Sequence, residues 1–326
     1  MRLKVINLRD EHDVKLTAFA DDMTTFLKDD QSADNLLKVL NDFGLCSGLK
    51  LNKSKLEACY LGTSSPTEFH INVDIKSCIE ILGIFFSCNK KEAAKLNFES
   101  ILDSLKKKLN LWRWRNLTVS GRIQIVKTFA ISKFLYRASQ LPLSNEIIKS
   151  ANKIIFDFIW KRKDIVKRRA LINNIENGGL NMIHLESLIQ AQKMSFFKRY
   201  VDPEYAADWK LVLDALLKPV GGPYLLKCNF SLSDLPVKVS PFYVECLTLW
   251  SRFNTTLPDQ VEDIMNEIVW NNRNIHVNKK SCYYSDLVEV GMHRICDMVK
   301  ADGSFIRGRI CSLKVFSPKI SSSGTG

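Results

Sequence analysis

The hydrophobic period changes once along this chain, at Lys91, and that change limits the folds open to it. Before Lys91 apolar residues come in short runs broken by turn formers; after it they recur every three to four residues. Lys15–Phe19 and Met23–Leu27 read as two strands about a tight turn. Ser32 is placed to cap a helix carrying Leu36, Leu37, Leu40 and Phe43, and Gly48 suits its stop. Strand-like runs follow at Ala58–Leu61, Phe69–Val73 and Ile79–Phe86, the last with Gly83 inside it. Past Lys91, Ala94, Phe98, Ile101, Leu102, Leu105, Leu109 and Trp112 form one helical stripe. A second helix is expected from Val119 to Gln140, capped by Thr118 or Ser120 and ended by Pro142. A third, after Ser144, carries Ile147, Ile148, Ala151, Ile154, Ile155, Phe158 and Ile159. All three are apolar on one side and basic on the other, so a bundle is expected.

Beyond the bundle, helices are expected over His184–Tyr200, from an Asp202-Pro203 start to Leu217, over Phe242–Phe253 and over Gln260–Trp270. Gly221-Gly222-Pro223 reads as a loop and a domain boundary, and the Ser/Gly-rich tail Ile320–Gly326 as disordered. The expected class is α+β: β-hairpins and a helix in residues 1–90, a basic helical domain in 91–200, and a helical region in 201–326. A chain of 326 residues is long enough for two or three such domains.

The net charge of +12 is concentrated. Residues 101–170 hold 17 Lys or Arg against four Asp or Glu, so the rest of the chain is close to neutral. Such a block suggests a polyanion-binding domain; the alternative is a set of solvated helix faces. Nine cysteines form no C-x-x-C pair; they read as reduced, mostly buried thiols of an intracellular protein, nuclear or cytoplasmic. Cys282, His293 and Cys296 lack a fourth ligand at a metal-binding spacing. No apolar run approaches the roughly 20 residues that span a bilayer, so no membrane partner is expected.

Within the first hairpin stand Phe19, Ala20, Asp21 and Asp22. Adjacent carboxylates at a hairpin tip form a candidate divalent-metal site, because phosphoryl-transfer enzymes hold their ions with aspartates on strands. Asp is also favoured in ordinary turns, so the pair alone leaves both readings open. In the basic stretch Trp112, Arg113, Trp114 and Arg115 alternate, and residues two apart on a helix face different ways. One Trp is therefore expected in the core and one near the surface. Arg122 and Lys127 follow on the next helix, and Lys161, Arg162 and Lys163 open a basic break that continues in Lys167, Arg168 and Arg169.

The order of these features resembles the reverse transcriptases of non-LTR (LINE-type) retrotransposons. The aromatic-Ala-Asp-Asp hairpin is followed by a helix, then by Gly48-Leu49-Lys50-Leu51-Asn52-Lys53-Ser54-Lys55, then by Ile81-Leu82-Gly83-Ile84. The thumb pattern of that family is matched by Leu111-Trp112, Arg115, Leu117, Ser120-Gly121-Arg122 and Lys127. Leu135-Tyr136, Pro142, Phe158-Ile159-Trp160 and Gly178-Gly179-Leu180 continue it, and Ile268-Val269-Trp270-Asn271-Asn272 resembles the region after the thumb.

The resemblance implies the end of a polymerase palm in 1–90, a thumb in 91–200, and two-metal nucleotidyl transfer by the complete enzyme with Mg²⁺ or Mn²⁺. By similarity Asp21 is the metal ligand, with Asp22 its less critical neighbour. Lys55 falls near the triphosphate as a proton donor or stays a solvated surface lysine. Leu82 and Gly83 support the primer end or form a buried strand. Trp112, Arg113, Arg115, Arg122, Lys127, Lys161, Arg162 and Lys163 grip nucleic acid. The implied partners are an RNA template, an RNA–DNA or DNA duplex, and the missing N-terminal half of the polymerase. The family's other palm aspartate and its fingers lie well upstream of this hairpin, so the chain is expected to be a C-terminal part, inactive by itself. A non-catalytic nucleic-acid-binding remnant is the alternative.

Overall fold

In this computed structural model the described residues are 7–8, 12–13, 16–27, 30–60, 73–161, 164–253, 260–276, 280–304, 306 and 314–315. The strands are β1 (Asn7–Leu8), β2 (His12–Asp13), β3 (Leu16–Phe19), β4 (Asp22–Thr25), β5 (Glu57–Ala58), β6 (Asp74–Ile75), β7 (Cys78–Ile81), β8 (Ile84–Ser87), β9 (Ile275–His276) and β10 (Lys314–Val315). They pair as five separate two-stranded sheets, antiparallel except for β5 with β6. The α-helices are α1 (Asp30–Ser47), α2 (Lys90–Arg113), α3 (Val119–Ile125), α4 (Ile131–Gln140), α5 (Asn145–Trp160), α6 (Arg168–Ile172), α7 (Leu185–Val201), α8 (Trp209–Leu217), α9 (Pro241–Phe253), α10 (Val261–Met265) and α11 (Ser285–Glu289). Helices and short sheets together make a mixed, α+β architecture, divided into two compact units between Ile189 and Gln190. No described helix is long and apolar enough to cross a membrane.

The first unit is organised by the basic bundle. Asn89 caps α2 by accepting from the Lys91 and Glu92 amides, Thr118 caps α3 through the Gly121 amide, and Ser144 caps α5 through the Ile147 amide. α3 and α4 are one continuous helix interrupted by a π-helical turn at Val126–Ala130. The core takes Ile101, Leu105 and Leu109 from α2, Ile123, Val126 and Phe134 from the interrupted helix, and Ala151, Ile155 and Ile159 from α5. Each Ile, Leu, Val or Phe among them contributes on the order of 1.5–3 kcal/mol by leaving water. In the second unit Phe197, Leu213, Leu217, Leu225, Phe230 and Leu247 form one core, and Trp270 centres another with Val269, Ile275, Ile295 and Met298. The fully buried Lys193 is paired with Glu245 at 2.6 Å.

Several expectations change. α1 begins at Asp30, and Ser32 lies buried inside it rather than at its cap. Ile79–Phe86 is not one strand. Leu82 and Gly83 both take left-handed backbone, φ 48° and 80°, and turn β7 back on β8. Positive φ at both central residues is the twist-compatible geometry of a two-residue hairpin, and glycine adopts it without penalty. Asp202 accepts from the Glu204 amide in a local turn, and α8 starts only at Trp209. Helix over Gln260–Trp270 is confined to α10, because Val269 and Trp270 turn into the core. Gly221-Gly222-Pro223 is a turn within one core, since Val220 and Leu225 pack into the same cluster. All described cysteines are free thiols, but only Cys228 and Cys246 are buried, and burial pushes both thiols up to about 12. Residues 61–72 and 320–326 lie outside the described residues, and with them most of the expected strand Phe69–Val73 and the whole of the expected tail.

Candidate nucleic-acid interface

Helix ends from different parts of the chain meet at one end of the bundle. Arg113, the last residue of α2, donates from Nη2 to the Lys161 carbonyl at 3.3 Å. Lys161 follows α5 in left-handed backbone, φ 61°. Arg122 on α3 donates from Nη1 to the Ile159 carbonyl at 2.7 Å and from Nη2 to the Leu117 carbonyl at 2.9 Å. α2 and α5 therefore run parallel and α3 runs against them. Their junction brings together Trp112, Arg113, Trp114, Arg115, Arg122 and Lys161. Arg162 and Lys163 lie outside the described residues.

The six side chains differ in what they have left to offer. Trp112 is half-buried against the core, stacks on Phe129 at 5.8 Å, and carries the Arg115 guanidinium 5.5 Å from its ring centroid. Trp114 is 92% exposed, so the alternation of the two indoles is the one the helix period requires. Arg122 is half-buried and committed to two carbonyls, a packing role rather than a surface one. Arg113, Arg115 and Lys161 are also exposed, and Arg113 and Arg115 flank Trp114 in sequence. A fully exposed indole flanked by cations is a surface on which a base can stack while phosphates are neutralised. Lys127 is half-buried within the π-helical turn.

The other end of the bundle holds the hairpin β7–β8. Tyr136 on α4 donates its hydroxyl to the Leu82 carbonyl at 2.7 Å. Asn97 on α2, buried, accepts from the Phe85 amide at 2.9 Å and donates to the Phe85 carbonyl at 2.8 Å. Arg137 donates to the Asn97 carbonyl and to Ser100, with its guanidinium 5.4 Å from the Phe85 ring centroid. Leu82 is thus an exposed turn residue fixed from below, not part of a buried strand. From Asn97 to Arg113 the axis of α2 covers about 24 Å, so the structure places Leu82-Gly83 and the Trp112–Lys161 group at opposite ends. Sequence reasoning missed Tyr136 and Arg137 as supports. Their signal was a Tyr-Arg pair beside the apolar positions of α4.

Asp21 and Asp22 lie at the open tip of β3–β4. Phe19 pairs with Asp22, leaving Ala20 and Asp21 as the two turn residues. Ala20 takes φ 53°, left-handed backbone that an alanine adopts at a cost of about 1 kcal/mol. Both carboxylates and Phe19 are exposed. Lys55 stands exposed at the end of the one-turn 3₁₀ helix Lys53–Lys55, which Asn52 caps through the Ser54 amide at 3.2 Å. Carboxylate oxygens are the donors that Mg²⁺ or Mn²⁺ prefers, yet such an ion needs several of them. Among the described residues no three His, Cys, Asp or Glu side chains converge on a metal position. The pair supplies donor chemistry without a coordination shell, and we assign no step to an ion.

The chain is similar to an uncharacterized 149 kDa protein of transposon TX1 from Xenopus laevis, 21% identical over 271 residues. That match takes in 78% of this chain and 20% of the relative, so the chain spans about a fifth of the length of the protein it resembles. No family model matches. The similarity supports a transposon-related origin.

Proposed function

We propose that this chain is part of the RNA-directed DNA polymerase of a non-LTR retrotransposon, and that its own share of the work is to hold the template–primer duplex. The observation that carries the reading is the junction of α2, α3 and α5, where Trp114 stands exposed next in sequence to Arg113 and Arg115, and Arg113 meets Lys161. The ordered motifs from Phe19 to Leu180 and the similarity to a transposon protein support the family. The cations neutralise backbone phosphates, which carry no sequence information, and a polymerase has to accept every sequence. The held Leu82-Gly83 turn gives the duplex a second, rigid contact at the far end of the bundle. Nucleotidyl transfer would need carboxylates in addition to Asp21 and Asp22, so the chain alone is expected to bind duplex without extending a primer.

The test is binding of a blunt RNA–DNA hybrid across a salt series, read by fluorescence anisotropy. Affinity should fall steeply with salt and drop when Lys161, Arg162 and Lys163 are changed to Ala. A flat salt response, or no loss in that variant, removes the reading. Primer extension by the purified chain with Mg²⁺ or Mn²⁺, abolished by Asp21→Asn, would show that the hairpin is a working centre and that duplex holding is not its whole role.

A further inference from the structure

Away from the junction, the first unit has a cleft of about 450 Å³ beside α5 and α6. Its floor is mostly apolar, with Phe156 and Ile172, and its polar groups are Asn152, Arg168, Arg169 and His184. Among the described residues no carboxylate lines it. The Arg168 guanidinium lies over the buried Phe156 ring, 4.4 Å from its centroid. Its Nε donates to Asp164 at 2.9 Å. One edge of the guanidinium is thereby fixed and one face backed, while Nη1 and Nη2 are not used by Asp164. Nδ1 of His184 accepts from the Ser187 amide at 3.3 Å and lies 2.7 Å from the Ser187 hydroxyl. With Nδ1 occupied as an acceptor, the neutral ring carries its proton on Nε2 and is a hydrogen-bond donor.

A flat, pre-oriented cation above an apolar floor, with a second arginine and a histidine donor beside it, suits one kind of ligand: a planar aromatic body carrying a phosphate. We infer that this cleft takes a single unpaired nucleotide, its base stacked on the outer face of Arg168 and its phosphate held by Arg169. The size agrees, because sites for small ligands run from roughly 300 to 1,000 Å³. The position agrees too. Phe156 lies five residues before Lys161 on α5, about 7 Å along the axis from the junction, near enough for an unpaired nucleotide flanking a bound duplex. The shared chemistry is that of a nucleotide, free or within a strand. The inference does not depend on the chain being a polymerase.

The experiment uses the full chain and two probes: a short single strand with one 2-aminopurine, and the free 2-aminopurine ribonucleoside monophosphate. Occupation of the cleft takes the base out of its own stack, so strand fluorescence should rise severalfold on binding. Arg168→Lys keeps the charge and removes the stacking plane. It should abolish the rise and weaken strand binding at least fivefold, while binding of the blunt hybrid changes less than twofold. Arg169→Gln should weaken the strand without abolishing the rise. Competition by the free monophosphate would mark the site as one for loose nucleotides as well, and its failure would restrict the site to strands; both fit the inference. A rise unchanged in both variants, or no rise for the strand, overturns it. Loss of hybrid binding with the strand signal intact would instead remove the duplex-holding role and leave the cleft standing.

Discussion

Arg122 directs its guanidinium at the carbonyls of Ile159 and Leu117, whereas Arg113, nine residues earlier, keeps most of its fork in solvent. Removing the first should therefore cost fold and removing the second should cost binding. Arg122→Ala is expected to lower stability by roughly 2–3 kcal/mol, because two partly buried carbonyls lose a charged donor. Trp114→Ala should leave the Tm nearly unchanged and weaken duplex or strand binding by about 1–3 kcal/mol. Thermal melts and anisotropy on the same preparations separate the two effects. The Ser120-Gly121-Arg122 motif marked Arg122 as a nucleic-acid contact, but its packing role depends on which helix ends meet, which the sequence does not show. The two indoles were legible, because helical period alone sets Trp112 and Trp114 on different faces. At Ala20 the left-handed backbone favours glycine. Ala20→Gly should slow amide exchange through the Leu16–Thr25 hairpin; exchange that speeds up would show that alanine is no strain there.

The α2 stripe shows how far element-level reasoning reaches. Its period and its place in the bundle follow from spacing, as does the Ser144 cap of α5; the Asn89 cap, and the choice of Thr118 over Ser120, came from the structure. Leu105→Ala in that stripe should cost roughly 2–5 kcal/mol in denaturant unfolding, since the side chain is buried on the bundle axis. The β7–β8 hairpin was harder to see. Its turn residue Leu82 is apolar and sits in an apolar run, so turn and strand look alike until Tyr136 and Asn97 hold the two ends. In the second unit the loop after Met292 carries a pH prediction. Asp297 accepts from the Arg294 and His293 amides at 2.8 and 2.9 Å, and these hold its carboxyl below the ordinary range. A folded-state value lower than the unfolded one gives stabilisation that is full above the unfolded value and lost as pH falls through the folded one. Asp297→Asn should therefore be less stable than the parent at neutral pH, with the two melting curves converging in acid. A gap that persists below the carboxylate range would mean the side chain acts by shape alone.

For the whole molecule, the block of 17 cations in residues 101–170 was legible in the sequence, but it did not show which cations would gather at one end of the bundle. That depended on α2 and α5 running parallel, a long-range fact that local spacing does not encode. Salt titration measures the outcome: each phosphate-neutralising side chain contributes about one to the slope of log affinity against log salt. Lys161→Ala should reduce that slope by about one, and Arg122→Lys, which keeps its charge off the surface, should leave it unchanged. The length of α2 then has a consequence for nucleases. If a duplex lies along the helix from the Trp114 end to the Leu82-Gly83 turn, the about 24 Å between them corresponds to roughly seven base pairs. Digestion of a longer DNA duplex in the complex should leave a protected fragment of about that size, cut back in step if a turn of α2 is deleted.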